Sequence, residues 1–543
     1  MARFTGIKSQ FRPAGKSLHN RDTQPQILVL WMALVLKLRP DFITCSSRSV
    51  LALAGLLFLA ITVHAQPRLP ALGDSASEEL SPVAERRLGE GIMADAWRQR
   101  AIFDDAELTE YVSTLGADLA TTSARLGESG AVSVNDMQFF LVRDRSINAF
   151  ALPGGFIGIN TGLIWAAQTE SELASVFAHE IGHVTQRHIA RMLSEQKATG
   201  PALLGAMVVA ILAARAGGAS SGDVAQATIA GTQAAAIQQQ LNFSRDAERE
   251  ADRIGFQTLV AAGFEPQGMP DFFQRLQQAS RLYDDSFPGY LRTHPLTVER
   301  ISDVQNRARG AGYRQRVDSV EFVLARWRVK ALEQTTIAGL RATLNELSKL
   351  PAQRGWVEGA RHYALALLHL GLNETTPAQT ALQQARKLLP PHPWLEKLAA
   401  DLAIQSGQAA AAIEPLRVAQ ARWPQSRPLR LVLAQALQAA GQHAPAVAYL
   451  RDQTALYAAD ARLYQLLALS YEALGQRVRQ HQALAEMYRL EGWLAAAVDQ
   501  LETAQRLMRG VGAVPEEFIL GSEINARLRE LREQLLEESR RRR

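Results

Sequence analysis

Cysteine is almost missing from this 543-residue chain. The single one, Cys45, lies in the N-terminal segment that is expected to be cleaved off, so the mature chain can form no disulfide and any zinc site in it must use imidazole and carboxylate ligands. Long apolar runs are missing too. The stretches 50–63 and 203–214 fall short of the roughly 20 residues that a helix needs to cross a bilayer. The chain therefore lacks multiple membrane spans, and association with a membrane is expected to be peripheral. Aromatic residues make up 7%, and none are interleaved with basic clusters, so the pattern of a nucleic-acid surface is absent and no nucleic-acid partner is expected. No Gly-Lys-Ser/Thr follows the glycines around residue 155, which excludes a phosphate-binding loop there.

The formal charge of +5 and the pI near 9.3 suggest a basic protein, but the first 65 residues hold eight Lys or Arg against two Asp or Glu. That segment carries +6 and the remainder −1, so the basicity belongs to the leader. Arg48 precedes the apolar run 50–63, which ends in Val63-His64-Ala65, the layout of a secretory signal peptide with cleavage expected after Ala65. No cysteine follows the cleavage point, which argues against a lipid-anchored lipoprotein. A second short apolar run, Ile27 to Leu36, makes Met32 an alternative start.

The strongest pattern present is Phe177-Ala-His-Glu-Ile-Gly-His-Val-Thr-Gln-Arg-His188, which contains His179, Glu180 and His183 in the spacing H-E-x-x-H. Residues four apart share one helix face, so the two imidazoles can offer nitrogens to one zinc ion with Glu180 beside them as a general base. A zinc ion with three protein ligands keeps a position for water and lowers its pKa. Thr169 and Glu172 have capping-box spacing, and Leu173, Val176, Phe177, Ile181 and Val184 form an apolar helical face.

Upstream, Arg86 to Arg98 and Leu108 to Leu119 read as amphipathic helices and Val132 to Val142 as a strand. A Pro-Gly-Gly turn then leads into a second strand from Phe156 to Ile159. An extended substrate can pair with a strand beside a zinc helix, so Gly154, Gly155, Phe156, Ile157 and Gly158 are expected as a substrate edge, with a purely structural hairpin as the alternative. Leu203 to Ala214 reads as a buried or lid-like helix. Gly218 to Gly222 matches G-x-S-x-G but lacks the preceding strand, so Ser220 is not expected to act as a nucleophile.

Farther on, Glu248 and Asp252 lie four apart in Glu248-Arg-Glu-Ala-Asp252. Glu248 can supply a third zinc ligand. Asp252 can accept a hydrogen bond from a ligand histidine or assist proton transfer.

Together, His179-Glu-Ile-Gly-His183 and Glu248-Arg-Glu-Ala-Asp252 resemble the gluzincin metallopeptidases that include the heat-shock protease HtpX and the CAAX prenyl proteases. The leader, the lack of multiple spans and the repeats described next narrow the likeness to periplasmic, repeat-bearing members. The resemblance implies Zn2+ on His179, His183 and Glu248, with Glu180 activating water and Asp252 as proton donor. It also implies a regulatory role for His294, in Arg292-Thr-His-Pro-Leu296, as a fourth ligand that holds the enzyme inactive.

From Val320 to Arg509 the composition shifts to Ala, Leu and Gln, and Gly371, Gly407, Gly441 and Gly475 recur at 36, 34 and 34 residues between amphipathic segments. That period fits tetratricopeptide helix pairs, whose stacking leaves a concave surface for a protein partner or forms a plain spacer.

The expected architecture is mainly α with a small β-sheet in a gluzincin-like α+β metallopeptidase domain, followed by an α-solenoid of tetratricopeptide-like helix pairs. Expected boundaries are a leader at 1–65, a zinc metallopeptidase domain at 66–315, repeats at 316–510 and a charged tail at 511–543. The expected function is periplasmic zinc-dependent endopeptidase, with protein substrates that the resemblance makes outer-membrane β-barrel proteins and their assembly machinery. The alternative is a chaperone or assembly scaffold whose zinc site is structural or silenced.

Overall fold

A three-stranded sheet and a buried helix set the frame into which the other elements fit. The computed structural model describes residues 80–128, 133–195, 244–282, 289–508 and 515–542. The leader, the expected helix at 203–214 and Ser220 lie outside the described residues. Gly73–Arg543 forms one compact unit.

The first described elements are α1 (Pro82–Arg98) and α2 (Ala106–Arg125), capped by the Ser81 hydroxyl and the Asp105 carboxylate, which accept from the N–H groups of Ala84 and Leu108. Strands β1 (Gln138–Val142), β2 (Ala149–Leu152) and β3 (Phe156–Asn160) lie in the order β1-β3-β2, with β3 parallel to β1 and antiparallel to β2. Phe139 and Leu141 face the main core, whereas Phe140 and Val142 join Ile92, Met93, Leu152 and Phe156 in a second cluster beneath α1. Because both faces of β1 are covered, its apolar residues run consecutively rather than alternating.

After α3 (Thr161–Ala166) comes α4 (Glu170–Thr185), in which every residue is buried. Thr169 caps it through Oγ1, accepting from Glu172 N at 3.1 Å, and the Glu172 carboxylate returns to the Gln168 N–H at 2.8 Å, a capping box displaced by one residue. Burying Leu173, Val176, Phe177 and Ile181 contributes on the order of 6–12 kcal/mol, enough to hold a helix that also buries His179, Glu180 and His183. Short α5 (His188–Glu195) follows, then α6 (Arg245–Ala261), α7 (Gly268–Leu282), α8 (Gly289–Thr293) and α9 (Val298–Gly310).

Helix α6 crosses α4 where each carries a glycine. A Cβ on Gly255 would lie 2.9 Å from His179 N, and one on Gly182 would lie 3.1 Å from Ala251 O, so both positions need the missing side chain. That close approach brings Glu248 and Asp252, which share one face of α6, to the histidines of α4.

The C-terminal part is a helical array: α10 (Val320–Leu332), α11 (Ile337–Lys349), α12 (Gly355–Gly371), α13 (Thr375–Leu388), α14 (Pro393–Gln405), α15 (Ala409–Arg422), α16 (Arg427–Ala439), α17 (His443–Leu456), α18 (Ala461–Ala473), α19 (Arg477–Leu490), α20 (Leu494–Met508) and α21 (Pro515–Arg542). Gly407, Gly441 and Gly475 occupy the hairpin turns at φ +72°, +72° and +70°. In the preceding turn the left-handed residue is Asn373 (φ +59°), whereas Gly371 ends α12. The 36-residue first interval expected from Gly371 is thus corrected: the turn residues recur every 34 positions, and asparagine takes the first because it tolerates that backbone region.

One hydrophobic core runs from Leu108 in α2 through Phe177 in α4 to Leu402 in α14. Ion pairs join α2 and the segment before it to the array. Arg328 meets Asp105 at 2.7 Å and Glu107 at 3.0 Å, Lys397 meets Glu107 at 3.1 Å, and Arg427 meets Asp104 at 2.6 Å and Asp460 at 2.8 Å. Near the array's end, Arg98 of α1 donates to the Gly492 carbonyl at 2.6 Å.

Candidate active site

The side chains of His179 and His183 project from one face of α4, and their Nε2 atoms stand 3.0 Å apart. Glu248 faces them from α6, with Oε2 3.5 Å from His179 Nε2 and Oε1 3.4 Å from His183 Nε2. His294 follows α8, where its N–H donates to the Tyr290 carbonyl at 2.8 Å and its ring stacks on Tyr290. Its Nδ1 lies 2.9 Å from Glu248 Oε1 and its Nε2 3.4 Å from Glu180 Oε1. One ligand atom from each of His179, His183, Glu248 and His294 falls within 4.8 Å of every other. All four residues are buried, as is Glu180.

This donor set fits a divalent transition metal. Unbalanced by a cation, the packing of imidazole nitrogens against one another and against a carboxylate would be costly, and neither oxygen of the fully buried Glu180 makes a well-formed hydrogen bond. His179, His183 and Glu248 are the residues that would hold the metal. Burial pushes the Glu180 carboxyl above its ordinary range, opposed by His294 and His179, which is the direction a general base needs. Glu248 is held well below its range: burial opposes ionisation, but His294, His179 and His183 outweigh it. Burial pushes His183 well below its usual value and so keeps it neutral, the form that coordinates metal.

Asp252 stands behind His179, with Oδ1 3.0 Å from the ring's Nδ1, on the edge opposite the metal-facing nitrogen. Arg300, on α9, donates to both of its oxygens, through Nε at 2.7 Å and Nη2 at 2.8 Å, and reaches Glu248 Oε2 through Nη1 at 2.7 Å. Sequence reasoning missed Arg300, which looks like one basic residue on an amphipathic helix. The Thr297 cap that starts this helix three residues after His294 is the only local clue. It also missed His188 and Glu250, which lie behind His183.

The expected substrate edge is not an edge. Phe156, Ile157 and Gly158 lie in the central strand, paired to β1 on one side and β2 on the other. Gly154 and Gly155 form the β2–β3 turn at φ +76° and +89°, and a Cβ on Gly154 would lie 2.5 Å from Arg86 Cα, so this turn packs against α1. Their small size serves that packing. Strand β2 has one neighbour, β3, among the described residues, and the Ala151 backbone amide approaches Glu180. The outer side of β1 instead receives Ile102 in a bridge to Val142 and the Phe103 N–H on Leu141 O.

An H-E-x-x-H helix, a glutamate delivered by a second helix and a buried base beside them define a metallopeptidase. The model of Peptidase family M48 matches residues 110–308, which span all of these groups. The beta-barrel assembly-enhancing protease of Yersinia pestis is 34% identical over 445 residues, covering 81% of this chain and 88% of that protein. The protein of the same name from Escherichia coli K12 is 33% identical over 443 residues, covering 80% and 86%. The mitochondrial metalloendopeptidase OMA1 of Arabidopsis thaliana is 29% identical over 231 residues, 42% of each chain. The chain belongs to the beta-barrel assembly-enhancing protease family of M48 metallopeptidases.

Proposed function

We propose that this protein is a zinc-dependent endopeptidase of the periplasm that cleaves misassembled protein clients during outer-membrane β-barrel assembly or quality control. The observation that carries the reading is the convergence of His179, His183 and Glu248, with Glu180 buried beside them. The names of the 33–34% identical relatives support the link to barrel assembly.

Zinc held by His179, His183 and Glu248 would supply Lewis acidity to a water molecule and to the scissile carbonyl. Glu180 takes the proton of the attacking water on its carboxylate and later passes it to the departing amine. Asp252, with both oxygens engaged by Arg300, holds His179 in the tautomer that leaves Nε2 free to coordinate, and this placement favours positioning over proton donation. The side of β2 that has no neighbour among the described residues aligns an extended client backbone alongside α4. His294, set between Glu180 and Glu248, is a removable fourth ligand that keeps the resting site closed.

In this reading, residues 66–315 form the catalytic domain after a cleaved leader at 1–65, and 316–510 a tetratricopeptide-type domain that docks clients or assembly machinery, with a charged tail at 511–543. A groove of about 910 Å³ between α2 and the array, lined by Tyr111, Trp394 and Trp423 among others, supports a docking role. Burial of His294 also favours a second activity in the same chain, client binding without cleavage while the site is closed.

The test is Glu180→Gln. The purified variant should retain one zinc per chain and its melting temperature, lose cleavage of an unfolded barrel protein, and retain that protein in a pull-down. Cleavage at the parent rate would remove Glu180 from the chemistry.

A further inference from the structure

Helix α4 does not run on through the third histidine of the motif region. It stops at Thr185, and Arg187 adopts φ +52°, a left-handed conformation rarely taken by a residue with a side chain. The Arg187 side chain is buried and fixed, with Nε donating to Glu85 Oε2 at 3.2 Å and Nη2 to the Leu80 carbonyl at 2.6 Å. This reversal turns His188 back onto α4, where its Nδ1 lies 2.8 Å from His183 Nδ1. On the far edge of the ring, Nε2 lies 3.1 Å from Glu250 Oε2, and Arg191 holds the same oxygen at 2.7 Å. His188 is itself buried.

We propose that His188 is a positioning residue for the metal ligand His183, forming the middle of a relay from Glu250 through His188 to His183. The proposal rests on the reading that His183 coordinates through Nε2. Coordination there requires the proton on Nδ1, which then donates to His188 Nδ1. His188 must accept at Nδ1, so its own proton sits on Nε2 and donates to Glu250. One carboxylate thus sets two tautomers in series and orients the His183 ring. The two ligand histidines are therefore supported differently: His179 directly by Asp252, and His183 by a carboxylate acting through a second ring.

The experiment compares zinc affinity, by chelator competition, of the full-length parent, His188→Leu, His188→Asn, Glu250→Gln and His183→Ala, together with visible spectra of their cobalt-loaded forms. Removing an outer partner of a metal-bound histidine typically costs about 10–100-fold in metal affinity. His188→Leu should lose that much and shift the cobalt bands. His188→Asn presents an amide oxygen near the position of Nδ1 and should stay within about threefold of the parent, a rescue that simple volume filling cannot produce. Glu250→Gln, at a part-exposed position that does not threaten folding, should fall in between. The relay is overturned if His188→Leu and Glu250→Gln bind zinc like the parent with unchanged spectra, or if Asn and Leu are equally weak at equal metal-free melting temperature. Should His188→Leu fail to fold, the Asn and Gln variants still decide. A parent that binds no tight zinc, or a His183→Ala chain that binds it like the parent, would instead overturn the site reading itself.

Discussion

Arg300 grips Asp252 through two parallel hydrogen bonds of 2.7 and 2.8 Å, and its remaining nitrogen reaches Glu248. One guanidinium thus compensates two buried carboxylates, one facing the metal position and one behind His179. Replacing Arg300 with leucine would leave both acids without this cation. Breaking such a buried network by removing one partner costs about 3–5 kcal/mol. The variant should therefore unfold at markedly lower denaturant when prepared without metal, and excess zinc should restore part of the loss by supplying positive charge at Glu248. Equal denaturation midpoints for variant and parent, both metal-free, would show that the network carries little of the fold's stability.

Gly255 makes a second prediction. The atoms nearest to an added Cβ are His179 N at 2.9 Å and Ala178 C and His179 Cα at 3.0 Å. These are backbone atoms that no rotamer change can move. Gly255→Ala should push α6 from α4, cost about 1–3 kcal/mol as an overpacked contact, and reduce zinc content because Glu248 rides on α6. Alanine at exposed Gly91, inside α1 where nothing lies within 4 Å, is the control: it should leave zinc content unchanged and, by relieving a helix-interior glycine, raise stability by about 0.5–1 kcal/mol rather than lower it.

How much of this was legible in the sequence depends on how local each feature is. His179, Glu180, His183, Glu248 and Asp252 could be read because each set sits at helical spacing on a single helix. The cap at Thr169 is likewise local. Strand β2 was missed because only four residues, Ala149–Leu152, separate Asn148 from Pro153. Without it β3 looked like an edge, although the missing strand is what makes it central. Arg300, His188 and Glu250 act through contacts that depend on how separate elements cross. The left-handed turn at Arg187 carries no residue signal of the kind that glycine provides.

A pH effect is expected where α2 meets the helical array. Burial pushes the Glu110 carboxyl up to about 7, opposed by the Arg427 backbone N–H and reinforced by Glu107. In the unfolded chain a glutamate titrates near 4.3. The folded form therefore holds the proton over a window in which the unfolded form has lost it, and stability falls as pH rises from about 4.5 to 7. Glu110→Gln keeps an acceptor for Arg427 but carries no charge. At pH 8 it should be more stable than the parent by on the order of 2 kcal/mol, and at pH 4 the two should converge. Urea denaturation of both chains at the two pH values checks this, and a constant gap between them would remove Glu110 as the cause.

The last prediction concerns His294. Its imidazole lies between Glu248 and Glu180, the space that an attacking water would need to reach the base. If it closes the site, His294→Ala should raise basal cleavage of an unfolded protein several-fold while zinc content stays at one per chain, because His179, His183 and Glu248 remain. If instead the imidazole is an indispensable ligand, both activity and bound zinc should fall together. Measuring the two on the same preparation separates these outcomes, and substituting Tyr290, which stacks on the ring at 4.6 Å between centroids, extends the test. Tyr290→Leu removes that support without replacing any ligand residue, so a gating histidine predicts a smaller rise in cleavage for this variant than for His294→Ala.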